Sequence, residues 1–254
     1  MKMKNTIKVA AMAALAVSLA ACNSNSNKME NAEDSTETAV TQADTASKEW
    51  IELFDGKSLV GWHGYNKKEP VKNWEVQDGV LACTGKGNKE DFGGDLVSEK
   101  EFGNFELEWE WKIAKAGNSG LMYHVIEDAK YKAPYETGPE YQMLDDIGFP
   151  GKIEDWQKTG ANYAMTPADD SQKELKPVGE WNTSKIIYNN GHVEHWLNGK
   201  KIVDFQEGTE EWKKEKSEGK WKDYPDYKIS NTGKIALQDH GDGVWFKNIR
   251  VKEL

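Results

Sequence analysis

Residues 105–113 read Phe-Glu-Leu-Glu-Trp-Glu-Trp-Lys-Ile, with a large apolar side chain at every odd position and a charged one at every even position. Side chains alternate across a strand, so Phe105, Leu107, Trp109, Trp111 and Ile113 share one face and Glu106, Glu108, Glu110 and Lys112 the other. One packed face and one wet face characterise an antiparallel sheet, and a solvated face accounts for the three glutamates without catalysis. Outward from this segment the extended rhythm recurs. Residues 74–83 predict a hairpin turning at Asp78-Gly79, and residues 184–205 a three-strand meander turning at Asn189-Asn190-Gly191 and Asn198-Gly199. Residues 49–54 and 95–98 read as short strands, 234–240 and 244–251 as a closing pair around Gly241-Asp242-Gly243. Residues 61–64 read as a loop with an aromatic tip, and 208–224 as a short exposed helix and loop. Many short strands and almost no helix predict an all-β sandwich; strand-like segments near both termini fit a jelly roll whose ends pair.

The first 48 of the 254 residues have a different character. Lys2, Lys4 and Lys8 precede an apolar run, residues 9–19, that ends in Leu19-Ala20-Ala21-Cys22. This is the pattern of a secretory signal, with an apolar core well short of the ~20 residues a spanning helix needs. Its ending resembles the bacterial lipoprotein box, which makes Cys22 the expected lipidation site and residues 1–22 a lipoprotein signal peptide. Residues 23–48 are rich in Asn, Ser, Thr, Glu and Ala, a composition expected of a disordered tether. Residues 49–254 are left as one domain. A membrane-anchored lipoprotein is expected, on the periplasmic face because no acidic stretch follows Cys22, with the cell surface as the other location.

The net charge is −10 and there is no basic stripe, which excludes nucleic acid as a partner. With Cys22 lipidated, Cys83 has no intramolecular partner; in Leu81-Ala82-Cys83-Thr84 it reads as a small buried hydrophobe.

The chemistry concentrates in residues 118–146. Asn118-Ser-Gly-Leu-Met-Tyr-His124 and Gly138-Pro-Glu-Tyr-Gln-Met-Leu-Asp145 read as two extended segments carrying polar groups at inward positions. By alternation Gly120, Met122, His124 and Ile126 share a face, as do Glu140, Gln142 and Leu144. On a later strand His195 lies with Val193 and Leu197, and at the closing pair Ala236, Gln238 and His240 lie together. The long connection 148–180 is expected to overhang the site, with Trp156, Tyr163 and Trp181 as walls.

Seven stretches, taken in order, carry a family resemblance: E-L-F-D-G-K-S-L-V-G-W (52–62), W-E-V-Q-D-G-V-L (74–81), G-N-S-G-L-M-Y (117–123), G-P-E-Y-Q-M-L-D (138–145), G-E-W-N (179–182), H-W-L-N-G (195–199) and I-A-L-Q-D-H-G (235–241). The chain resembles the DUF1080, or 3-keto-disaccharide hydrolase, family. The resemblance implies a concanavalin A-like jelly-roll β-sandwich with a long loop insertion, secretion as a lipoprotein, and cleavage of 3-keto-glycosides. Two positions depart from the family pattern: Phe246-Lys-Asn-Ile stands where an Arg often follows the Phe, and Tyr123-His124 where the strand often runs on to an Arg.

For such a substrate the C3 carbonyl acidifies the C2 proton, with the aglycone on C1 β to it. A base, donors for the enolate oxygen and an acid for the leaving oxygen are needed. Glu140, His124, His195 and His240 are the expected catalytic groups, converging in one pocket. Asn118, Tyr123, Gln142, Asp145, Trp181 and Gln238 are the expected substrate-binding groups. No close-spaced ligand pair is present, so neither a metal nor another cofactor is assigned. The expected partners are a small carbohydrate substrate, the membrane through the lipid anchor, and a sugar 3-dehydrogenase in functional linkage. Two other readings stand beside this one. A retaining glycosidase would use Glu140 and Asp145 as its carboxylate pair, with a bulge bringing both to one face. A non-catalytic carbohydrate-binding module would stack sugars on Trp62, Trp181 and Trp196.

Overall fold

The computed structural model describes residues 48–69, 71–85 and 94–254, all within the unit Ala46–Leu254. The expected signal peptide with Cys22, and all of the expected tether but Lys48, therefore lie outside the described residues. The strands are β1 (Ile51–Glu52), β2 (Trp62–Gly64), β3 (Trp74–Gln77), β4 (Val80–Cys83), β5 (Leu96–Phe102), β6 (Phe105–Ile113), β7 (Asn118–Val125), β8 (Glu140–Leu144), β9 (Asn182–Asn189), β10 (His192–Leu197), β11 (Lys200–Gln206), β12 (Gly233–Leu237) and β13 (Val244–Glu253). Helix α1 (Glu210–Glu218) lies between β11 and β12.

The strands form two antiparallel sheets. The larger runs β11-β10-β9-β6-β13-β4-β3, with β1 also on β13; the smaller runs β2-β5-β12-β7-β8. Ile51 pairs with Val251, so the ends of the domain meet as the jelly-roll reading requires. The fold is a jelly-roll β-sandwich. Strand β6 occupies residues 105–113 as the alternation predicts, and its odd residues are buried. Trp109 and Trp111 face Leu121, Tyr141 and Met143 of the smaller sheet in one continuous core. Each Trp buries roughly 200 Å², which contributes roughly 5 kcal/mol at ~25 cal/mol/Å² before ordering costs. The even positions meet cations from neighbouring strands: Glu106 binds Lys185 (3.2 Å) and Lys252 (2.6 Å), Glu108 binds Arg250 (2.7 Å), and Glu110 binds Lys247 (3.2 Å). That ladder is why the three glutamates are not catalytic candidates.

The hairpin turns follow their sequences. Asp78-Gly79, Asn190-Gly191 and Asn198-Gly199 all have positive φ at both positions, as two-residue primed turns require. The loop expected at 61–64 is instead β2, because Trp62 is buried in the core and donates Nε1–H to the carbonyl of Leu53 (2.6 Å).

The smaller sheet has a second packed face, and this positions the site. Leu121, Tyr123, Tyr141, Ile235, Leu237 and Leu96 point into the sandwich core; Met122, Val97, Ala236 and Tyr65 point the opposite way and cluster with Tyr131 and Tyr135. Residues 207–231 form a strap that packs Trp221 and Tyr227 against Met165 and the half-buried Tyr163.

Candidate active site

Glu140 begins β8 opposite Met122, and Gln142 lies opposite Gly120. Both side chains therefore stand on the outer face of the smaller sheet, away from the sandwich core. Glu140 leans across Gly120: a Cβ at position 120 would lie 2.1 Å from its Oε1. Gly120 is thus the seat of the carboxylate, and any larger side chain would displace it. Next across the sheet, Gln238 donates its N–H to the carbonyl of Gly120 (2.9 Å) just past the end of β12, and its side-chain amide acts on the carboxyl group of Glu140 to lower its pKa. Asp95 immediately precedes β5 and is the register partner of position 238 on the same face, since Ala236 pairs with Val97. On the other flank of β8, Tyr163 donates its backbone N–H to the carbonyl of Glu140 (3.0 Å).

Glu140 is 3 % exposed, and burial pushes its pKa up to about 8; the charge of Lys220 pulls it down, that of Asp95 pushes it up, and Gln238 pulls it down. Asp95 is also raised, to about 7, first by burial and then by the charge of Asp239, although the N–H of Asp239 donates to its Oδ1 (2.8 Å). Two carboxyl groups near neutrality on one face suit acid–base chemistry. Two buried acceptors, Asn118 Oδ1 and Gln238 Oε1, have no protein partner among the described residues. Buried polar atoms are rarely left so, and hydroxyl groups of a ligand would satisfy them.

The four expected catalytic groups do not converge. Tyr123 and His124 sit together at a bulge in β7, where the pairing with β12 slips between Lys234 and Ala236. His124 has φ +54°, and the extra residue turns both side chains into the core. Its ring packs edge-on against Phe105 and Tyr188, and Nε2–H donates to the carbonyl of Gly103 (2.9 Å). Burial first, then the charge of Lys228, lowers its pKa to about 3, so it is neutral at working pH and walled off from Glu140. Gly233 permits the bulge, since a Cβ there would lie 2.5 Å from the carbonyl carbon of His124. Tyr123 is fully buried in the same core, out of reach of substrate. His195 is also a core residue: it packs on Tyr141, its Nδ1–H donates to the carbonyl of Gly160 (2.9 Å), and burial lowers its pKa to about 4. It braces the loop beside β8 from behind. His240 is half-buried two residues beyond Gln238, outside the strand.

The binding candidates divide in the same way. Gln142 shares the face of Glu140, with its Oε1 taking the N–H of Met143 (3.1 Å). Asn118 stands at the start of the same row. Asp145 caps a turn: burial raises its pKa, but the N–H groups of Ala116, Gly148 and Ile147 outweigh this and lower it. It therefore supplies no second carboxylate beside Glu140. Trp181 lies under Lys112 and Lys247 on the outer face of the larger sheet, far from this row. Trp196 lies on that same outer face, its ring under Lys185, and Trp62 is in the core. Cys83 is buried and free, its thiol pushed up by burial.

Sequence reading missed Asp95 and Lys220. Asp95 carried a usable signal, its parity with Val97; Lys220 carried none, since it sits in a Lys/Glu-rich run that reads as exposed helix. Its ammonium lies over the rings of Tyr163 (4.5 Å), Trp221 (4.7 Å) and Tyr135 (5.0 Å). Burial lowers its pKa and the charge of Glu140 raises it.

Residues 49–252 match the family described as 3-keto-alpha-glucoside-1,2-lyase-like domains. The chain belongs to this family. It is 37% identical over 232 residues to a 3-keto-disaccharide hydrolase of Bacteroides thetaiotaomicron, an alignment covering 81% of this chain and 78% of the relative. A candidate glycosyl hydrolase from Parabacteroides distasonis, solved as a crystal structure, superposes with a TM-score of 0.75 at 48% identity, covering 81% of this chain and 94% of that one. A second from the same organism gives 0.61 at 25% identity, covering 81% and 100%. As a member of the 3-keto-disaccharide hydrolase family, the protein is a carbohydrate-active hydrolase, and the row containing Glu140 is its candidate active site.

Proposed function

We propose that the protein cleaves 3-keto-glycosides by proton abstraction at C2, elimination of the aglycone and rehydration at C1. The observation that carries this reading is Glu140: a buried carboxyl raised to about 8, seated over Gly120, with partnerless hydroxyl acceptors beside it. A carboxylate with that proton affinity is a competent base for a carbon acid flanking a ketone. In the first step the C2 proton passes to Glu140 and the C–H pair forms the enolate. The enolate then collapses to C3=O with a C1=C2 double bond, expelling the C1 oxygen, which takes a proton from Asp95. Water adds to C1, passing a proton to Asp95, and the proton on Glu140 returns to C2, so both carboxyl groups are restored and net hydrolysis results without a co-reactant. The strands bearing Asp95 and Gly120 are separated by β12, two spacings or about 10 Å between backbones, which sets the two carboxyl groups at opposite ends of one row. Asn118 Oδ1 and Gln238 Oε1 accept its hydroxyls.

A family described as lyase-like and a relative named as a hydrolase are both accommodated by one mechanism in which elimination precedes hydration. The ketone has to come from a sugar 3-dehydrogenase, and lipidation at Cys22 with a periplasmic location completes the proposal. Incubation with 3-keto-trehalose and with trehalose tests it. The keto substrate alone should be cleaved, and Glu140→Gln should abolish the release. Equal cleavage of trehalose would overturn it. The mass of the mature N-terminal peptide tests the lipid at Cys22.

A further inference from the structure

The proposed reaction leaves the enolate oxygen without a partner, and beside the row stands a cation, Lys220, that makes no salt bridge among the described residues. Lys228 on the same strap, by contrast, is locked to Glu207 at 2.9 Å. Three rings from three separate segments hold the Lys220 ammonium instead: Tyr135 on the turn Pro134–Glu136, Tyr163 beside β8, and Trp221 on the strap, at 4.5–5.0 Å. Ring faces attract a cation yet supply no anion to neutralise it. Tyr163 sets the location, because its backbone N–H donates to the backbone carbonyl of Glu140 and holds this ring beside the start of β8. The result is a preorganised positive charge alongside the proposed base.

Resting on the proposed reaction, the geometry points to Lys220 as the catalytic group that receives the negative charge developing on the C3 oxygen, and so as the residue that makes the enzyme selective for ketone over alcohol at C3. A ketone oxygen becomes an enolate oxygen only in the transition state. An ammonium placed for it therefore acts on kcat more than on KM. The hydroxyl of an unoxidised glycoside develops no such charge and gains nothing. The groups that face Lys220 are Glu140 from β8, Tyr163 beside it, Tyr135 from the turn and Trp221 with Tyr224 from the strap, with Asp95 further along the row.

Lys220→Met keeps the stem and removes the charge, and Lys220→Gln is a second variant should the first perturb the rings; Lys220 opens a short turn with its ammonium over the rings and part of the residue at the surface, where both are tolerated. On 3-keto-trehalose each should lose about 10²–10³-fold in kcat with KM changed by less than about threefold. Lys220→Arg should recover part of the loss. The acid limb of the pH–rate profile should also move to higher pH in Lys220→Met, since Glu140 loses a neighbouring cation that favours its ionised form. A Lys220 that merely neighbours Glu140 would move that limb yet leave kcat at the optimum near the wild-type value, and that result would overturn the assignment. Wild-type-like kcat and an unmoved limb in both neutral variants would also overturn the assignment while leaving the reaction standing. Failure of the wild type to cleave the keto substrate would overturn both.

Discussion

At the scale of single residues the central fact is that Glu140 is buried without a salt bridge among the described residues. The sign of its effect on stability follows. A carboxyl whose pKa is raised on folding, here from 4.5 to about 8, binds its proton more tightly folded than unfolded. Stability therefore falls as pH rises through that window. Glu140→Gln removes the ionisation, so it should abolish activity and yet raise Tm, by more at pH 8.5 than at pH 5; calorimetry at the two pH values checks this. A lower Tm for the variant at pH 8.5 would contradict the burial cost assigned to Glu140. The same two carboxyl groups set the pH–rate profile. Activity rises as Glu140 loses its proton and falls as Asp95 loses its own, and because the two interact they titrate as a pair. A bell with its maximum between about 7 and about 8 is expected for kcat/KM on a 3-keto-glycoside. A profile flat from pH 5 to 9 would remove both groups from the chemistry.

At the scale of elements the decisive feature is the bulge in β7. Alternation places Gly120, Met122 and His124 on one face, and for the first two it is right. The added residue at Tyr123–His124 reverses the parity, so that Val125 rejoins Met122 and the histidine turns inward. No local signal announces this, because His is not a residue that favours positive φ strongly enough to be read from sequence. A structural role makes its own prediction. His124→Ala should cost about 2–4 kcal/mol in urea unfolding, through the cavity and the lost bond to Gly103, while the folded fraction keeps kcat within a few-fold. A large loss of kcat at unchanged stability would return His124 to the site. The strap is held differently. Helix α1 buries no residue, and what pins its neighbourhood is the Lys228–Glu207 pair, with Tyr188 donating to the same carboxylate (3.1 Å). Lys228→Met leaves Glu207 buried and uncompensated, for which about 3–5 kcal/mol is expected. Because the strap carries Lys220 and Trp221, kcat should fall as well.

At the scale of the whole molecule, the fold was legible because its signals are redundant. Period-two alternation in β6 and three Asx-Gly turns each specify antiparallel pairing, and the pairing of β1 with β13 closes the domain as expected. The site was legible only in part. Glu140, Gln142, Gln238 and Asn118 do share one face, since they sit on regular stretches whose parity the sequence displays. His124 and His195 were misplaced for one physical reason: a buried histidine satisfied by a backbone carbonyl and a catalytic histidine have the same sequence surroundings. Lys220 and Asp95 were missed because their relation to Glu140 exists only across strands and a strap far apart in the chain. All of this converges on removal of the C2 proton by Glu140. Single-turnover cleavage of 3-keto-trehalose carrying deuterium at C2 tests that step directly. A primary isotope effect of about threefold or more is expected for proton transfer in the transition state; an effect near unity would contradict it.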